Sequence, residues 1–192
     1  MKKDDIRKSI AAFYDKVARE DQEVLVSIDE LNLSLGYSKE DLKNIPLEAQ
    51  MGLGCGNPHL KGKPREAEIV ADLGSGRGMD VFLASQAVGK EGWVIGIDAN
   101  PLMIEKAREI SRKNNFTNTE FRLGEIEHLP VADNQLDLVL SNCAINLSTN
   151  KAQVYREIYR ILKPGGRISI SDIMLKKELP EEIKSDPNIY GT

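Results

Sequence analysis

From Glu68 onward the chain alternates short runs rich in Val, Ile and Leu with longer segments of helical apolar spacing, the rhythm of βαβ units and a parallel sheet. The runs that read as strands are EIVADLG (68–74), WVIGID (93–98), TEFRL (119–123), LDLVLS (136–141) and RISISDI (167–173). Helices are expected between them near 79–88, 101–114 and 149–162. Asn100 and Pro101 mark the start of the second, as cap and first helical residue. LKPGG at 162–166 ends the third helix and turns into the fifth strand, and no repeat, low-complexity tract or linker interrupts the series.

Ahead of the sheet, Ile6, Ile10, Phe13, Tyr14 and Val17 recur at three- and four-residue steps, which predicts an amphipathic lid or packing helix. Ser38 to Asp41 has the pattern of a capped helix start, and Pro46 limits the length of that helix. Between 52 and 64 the composition shifts to Gly, Asn and Pro, the mark of a functional or connecting loop.

Composition excludes several classes. The 192 residues suffice for one domain with its own core. Lys and Arg total 26 against 30 Asp and Glu, and the charges are interspersed, so no nucleic-acid partner is expected. MKKDDIRKSIAAFYDK carries no apolar signal core, and no run nears the ~18 apolar residues of a membrane span. Two cysteines cannot build a disulfide framework, so a cytoplasmic protein with both thiols free is the expectation.

Asp72, Gly74, Gly76 and Gly78 form D-x-G-x-G-x-G between a strand and a helix, where a ligand can approach backbone without a Cβ in the way. A dinucleotide fingerprint would need glycine where Met79 stands, and a pyrophosphate would sit poorly beside Asp72, whereas a cationic amino group would be attracted to it. S-adenosylmethionine carries such a group. Asp98 closes the second strand 20 residues after Gly78 (98 − 78), where a carboxylate can accept both ribose hydroxyls. Singly, these features need be no more than a tight turn and a helix cap. Together with LKPGG they resemble the class I S-adenosylmethionine-dependent methyltransferases. That resemblance implies a Rossmann-like α/β fold with a mostly parallel sheet. It also makes Ala99, Asn100 and Met103 neighbours of ribose and adenine, aligns Gly124, Glu125 and Ile126 with the adenine edge, and puts Asn142 among the cofactor-binding residues.

The two cysteines sharpen the reading. Cys143 follows the fourth strand in SNCAINLS, on the side of the sheet where ligands bind. Alone it could be a small buried hydrophobe. Cys55, however, lies in GLGCGNP between Gly54 and Gly56 with no evident packing role, and two thiols near one methyl donor suggest a soft, thiophilic acceptor. GLGCGNP, DLGSGRGMDVFLASQAVG, VIGIDANPLMIEKAR, GEIEHLPVADNQLDLVLSNCAINL and EIYRILKPGGRISISDI, taken in order, resemble the arsenite methyltransferase family.

The resemblance implies methyl transfer to trivalent arsenic, with Cys55 and Cys143 as thiolates on the metalloid, Cys143 nearer the methyl donor and Cys55 on a mobile loop. It also implies a thiol reductant and arsenite, free or as a thiol conjugate. The expected division is an N-terminal helical segment and substrate loop over 1–66 and an S-adenosylmethionine-binding domain over 67–192. The family pattern has a further cysteine after a segment like SDPNIYGT and more strands after the fifth. About five strands are therefore expected here, with the C-terminal strands missing and the activity of the remaining part left open. The fifth strand would then be an open edge, favouring self-association over cover by the tail LKKELPEEIKSDPNIYGT. Other readings are a methyltransferase for a small organic molecule and a non-catalytic binder of arsenite or S-adenosylmethionine. His59 and His128 have no partners at ligand spacing and read as solvated loop residues. Glu125 and Glu127 read as polar contacts or solvent-facing charge.

Overall fold

The strands differ in how continuously apolar they are, and this sets their place in the sheet. IVADL and LDLVLSN are buried along almost their whole length, as central parallel strands must be, whereas TEFRL is mostly half-buried. In the computed structural model, which describes residues 3–19, 27–178 and 180, β1 (Ile69–Leu73) and β4 (Leu136–Asn142) are neighbours at the centre. With β2 (Trp93–Asp98), β3 (Thr119–Leu123) and β5 (Leu162–Ser171) they form a five-stranded sheet of order β3-β2-β1-β4-β5, every pair parallel. The expected α/β sheet is present.

Alternation along the strands builds a core on each face. Val70, Val94, Phe121, Leu138 and Leu140 meet α5 (Met79–Val88) and α6 (Pro101–Lys113) on one side. Leu73, Ile97, Leu136 and Val139 meet Val154, Ile158 and Ile161 of α7 (Lys151–Ile161) on the other. Phe82 of α5 is fully buried, its ring 4.4 Å from that of Phe116. Asn100 caps α6 as expected, its Oδ1 accepting from the N–H groups of Leu102 and Met103.

The N-terminal part lies across the carboxyl ends of the strands. The amphipathic stretch is α1 (Lys3–Arg19), whose Phe13, Tyr14 and Val17 pack with Met103, Met51 and Leu53. After α2 (Ile28–Ser34), the Ser38–Asp41 capping box starts α3 (Lys39–Lys43), which stops short of Pro46. The 52–64 loop is not featureless: it contains α4 (His59–Gly62), packed on β4 and β5.

Two expectations about the fifth strand need adjustment. Leu162 already pairs with Leu136, and Arg167 next pairs with Leu138, so Lys163–Gly166 bulge out of β5 instead of preceding it. Pairing ends at Ser171, because Asp172 turns its carboxylate back to the N–H of Asn146. β5 is an edge of the sheet, with Ile168 exposed. Most of the tail LKKELPEEIKSDPNIYGT, the less favoured cover for that edge, lies outside the described residues.

Candidate functional site

β1 leads to α5 and β4 leads to α7, which pack on opposite faces, so a crevice opens where the two central strands end side by side. The turn after β1 starts at Gly74, whose N–H and that of Ser75 both donate to the Ile97 carbonyl. Gly74 has φ +75°, and a Cβ there would fall 2.3 Å from the Cβ of Ala144, in the loop after β4. Only glycine lets the two loops approach this closely. A cavity of about 600 Å³ lies between them, roofed by Ile10, Ala11 and Tyr14 of α1.

The cavity floor is acidic. Asp72 is buried at the end of β1, and burial, then the charges of Asp80 and Asp98, push its carboxyl well above the usual range. Burial also raises Asp98, against the backbone donors of Asn100, Gly76 and Ala99. Asp98 Oδ2 accepts from Gly76 N–H and Oδ1 from Asn100 N–H, both at 2.8 Å, which ties the glycine turn to the end of β2. Asn100 Nδ2 reaches Asp15 of α1 at 2.7 Å, joining α1 to the floor. An apolar-walled cavity with buried carboxylates beside a glycine turn fits a nucleoside that carries a positive charge.

Cys55 and Cys143, 88 residues apart, meet at the rim with their sulfurs joined as a disulfide. This corrects the expectation of free thiols: a count of two cysteines excludes a framework but not one pair that the fold brings together. The loop carrying Cys55 is hydrogen-bonded to the end of β4. Asn142, next to Cys143, accepts from Cys55 N–H at 2.9 Å through Oδ1 and donates to the Gly56 carbonyl at 2.8 Å through Nδ2. Gly54 allows the approach, because a Cβ there would lie 2.9 Å from that same Nδ2. The scarce thiol is flanked by glycines because backbone must press against β4.

Behind Asn142 is a buried network. Asp80 accepts from Tyr37 Oη at 2.7 Å and from Asn142 Nδ2 at 3.2 Å, and its Oδ1 is 3.1 Å from His59 Nε2. Burial pushes Asp80 up, but His59, Tyr37 and Asn142 outweigh it and hold the carboxyl below its usual range. Burial and then Asp80 raise the Tyr37 hydroxyl far above its own. His59 is therefore not a solvated loop residue: α4 carries it inward onto Asp80. His128 is exposed, as expected.

Of the residues expected at the site, Asp72, Gly74, Gly76, Asp98, Ala99 and Asn100 line the cavity. Met103, Glu125, Ile126, Asn142 and Cys143 line it as well. Three do not. Gly78 packs under the Phe121 ring, Gly124 abuts Pro130, and Cys55 lies behind Cys143. Glu125 is exposed, whereas Glu127 is buried and accepts from Ser148 Oγ at 2.6 Å. Tyr37, Asp80 and Asp15 belong to the site without having been expected there. Asp80 falls on the buried face of α5 among apolar neighbours, a signal that could have marked it.

Comparison with known proteins places the sequence and fold among methyltransferases. An arsenite methyltransferase of Halobacterium salinarum is 49% identical over 154 residues, 80% of this chain and 39% of that protein. One from Mus musculus is 35% identical over 98% of this chain and 53% of its own length. The chain thus spans about half or less of these relatives. The crystal structure of an arsenic(III) S-adenosylmethionine methyltransferase from Chlamydomonas reinhardtii superposes with a TM-score of 0.65 at 35% identity, covering 88% of this chain and 56% of that one. The family model described as a methyltransferase domain matches residues 64–192, two thirds of the sequence, and the chain belongs to that family.

Proposed function

We propose that the chain carries out S-adenosylmethionine-dependent methyl transfer to trivalent arsenic held by the reduced thiols of Cys55 and Cys143. The observation that carries this reading is the meeting of the two cysteines at the mouth of the cavity, with Cys143 lining it and Cys55 behind. The similar proteins of Halobacterium salinarum, Mus musculus and Chlamydomonas reinhardtii point the same way. Bound in the cavity, S-adenosylmethionine would supply a methyl group on a cationic sulfur. Asp72 would meet its ammonium group, Asp98 its ribose, and Ala99, Met103 and Ile126 its adenine. The chain's task is positioning and exclusion of water, since trivalent arsenic attacks through its own lone pair and loses no proton. Residues 1–66 would supply lid and acceptor loop, and 67–192 the cofactor site.

The disulfide must open first, because neither sulfur is a thiolate while joined to the other. A thiol reductant in a reducing cytoplasm suits that demand. Among the described residues no helix is long and apolar enough to cross a membrane. The exposed β5 edge remains the candidate surface for self-association, to be read from sedimentation at several concentrations.

The test is alkylation of the reduced chain. Arsenite is expected to protect Cys55 and Cys143 together, and replacing either by serine is expected to expose the other. Alkylation unaffected by arsenite would remove the acceptor site.

Two further results are expected of the cofactor side. Asp98→Ala deletes a ribose acceptor and frees the Gly76 and Asn100 N–H groups, so calorimetric affinity for S-adenosylmethionine should fall by about 1.5–3 kcal/mol. Binding should also depend on pH through Asp72. Its folded carboxyl is raised above 3.8, so its contribution to stability is complete below that value and is lost as pH rises through the raised one. A bound cation favours the ionised form. Within that window cofactor binding should release a proton and tighten as pH rises, and Asp72→Asn should abolish both effects. Equal proton release by the Asn variant, measured in buffers of different ionisation enthalpy, would assign the titration elsewhere.

A further inference from the structure

One charged group beside the two sulfurs has no part in holding the cofactor or the thiols. Asp172 directly follows β5, and one carboxylate oxygen together with the Sγ atoms of Cys55 and Cys143 forms a set whose members all lie within 4.8 Å of one another. The carboxylate is fixed from both sides. Its Oδ2 accepts from Asn146 N–H at 2.9 Å and its Oδ1 from Ile173 N–H at 2.8 Å. The strand is fixed too, because Cys143 N–H donates to the Ser171 carbonyl at 2.8 Å, so Asp172 and Cys143 cannot drift apart independently.

We propose that Asp172 is the counter-charge of the transfer, the group that stabilises positive charge as it passes onto arsenic; this rests on the arsenic reading under Proposed function. The charge balance requires such a group. The arsenic lone pair forms the As–C bond, the C–S bond breaks with its electron pair remaining on sulfur, and that sulfur becomes a neutral thioether. Arsenic, oxidised from the trivalent to the pentavalent level, takes up the unit of positive charge, and no proton moves. Asp72 and Asp98 lie at the donor end of the cavity, where positive charge disappears, so they favour the state before transfer. Asp172 lies at the acceptor end, where it appears. Its interaction is therefore stronger in the transition state than in the ground state, which is the condition for speeding the step. A carboxylate there also leaves the neutral trivalent acid free to enter while opposing anions of similar size.

The test has one readout that needs no turnover. In the reduced chain, the rates at which a cationic and an anionic methanethiosulfonate modify Cys143 are compared, with Cys55 replaced by serine, and then the reverse. Their ratio reports the local potential and is insensitive to the thiol's own ionisation. Asp172→Asn, which keeps the shape and an acceptor oxygen, is expected to lower the cation-to-anion ratio about ten-fold, and Asp172→Glu to restore part of it. An unchanged ratio overturns the proposal, since a charge not felt at the sulfurs is not felt by arsenic between them. The second readout is single-turnover methyl transfer in the full chain loaded with arsenite. Asp172→Asn should slow it about a hundred-fold with arsenite protection of the thiols unchanged, and an equal rate overturns the proposal. If the unmodified chain binds arsenite yet transfers no methyl, the enzymatic reading fails by itself, and the reagent ratio alone decides whether Asp172 sets the charge at this site.

Discussion

Gly74→Ala is expected to lose about 3 kcal/mol of stability and, with it, the cofactor site. Two separate costs combine. An alanine held at φ +75° is in the left-handed region, at roughly 1–2 kcal/mol, and its Cβ would lie 2.3 Å from that of Ala144, an overlap that forces backbone to move at roughly 1–3 kcal/mol. The contact is not with the end of a flexible side chain, so no cheap rotation relieves it. The turn and the loop after β4 must separate, and these are the two walls of the cavity. Urea unfolding should show the loss as a lower midpoint at constant slope. A variant within 0.5 kcal/mol of the parent would mean that the two loops are not packed as described.

Asn142→Ala is expected to damage the acceptor side in a different way. The carboxamide accepts from Cys55 N–H and donates to the Gly56 carbonyl, the Tyr37 hydroxyl and Asp80. Its removal leaves partly buried groups without partners and takes one donor from a buried carboxylate, for a loss of about 2–3 kcal/mol. The larger effect should fall on arsenite. Without the clamp, the Cys55 loop must be ordered when arsenite binds, so protection of the thiols should require at least about ten-fold more arsenite. Cys55 should be alkylated faster while Cys143, on the strand end, changes little. Equal protection in variant and parent would show that the loop is held by α4 alone.

These two residues illustrate how far the chain is legible from its sequence. Gly74 belongs to a local pattern, Asp72 near the end of a strand followed by glycines at every second position, and such a pattern carries its own physics within seven residues. The same holds for Asn100 before Pro101, for Ser38 with Asp41, and for the β-branched strand runs, whose bounds match the observed β2 and β3 residue for residue. Asn142 acts across 87 residues on Cys55 and 105 on Tyr37, and no local spacing announces either partner. His59 misleads for the same reason, since its partner Asp80 lies 21 residues away, beyond the glycine turn. The disulfide is likewise a product of topology: β1 and β4 must pair before the loop ahead of one and the end of the other can meet. The bulge at Lys163–Gly166 is hidden because Pro and Gly announce a turn equally well whether it precedes a strand or interrupts it.

The central claim is that one cavity brings a sulfonium methyl to a metalloid clipped by Cys55 and Cys143. Its most direct measurement follows methyl-labelled S-adenosylmethionine with arsenite and the full chain, fully reduced in one sample and with the disulfide intact in the other. Labelled methylarsenic is expected from the reduced chain, none from the oxidised chain, and none after Cys55→Ser or Cys143→Ser. Label reaching arsenic at the same rate in the oxidised chain, or in both serine variants, would contradict the claim.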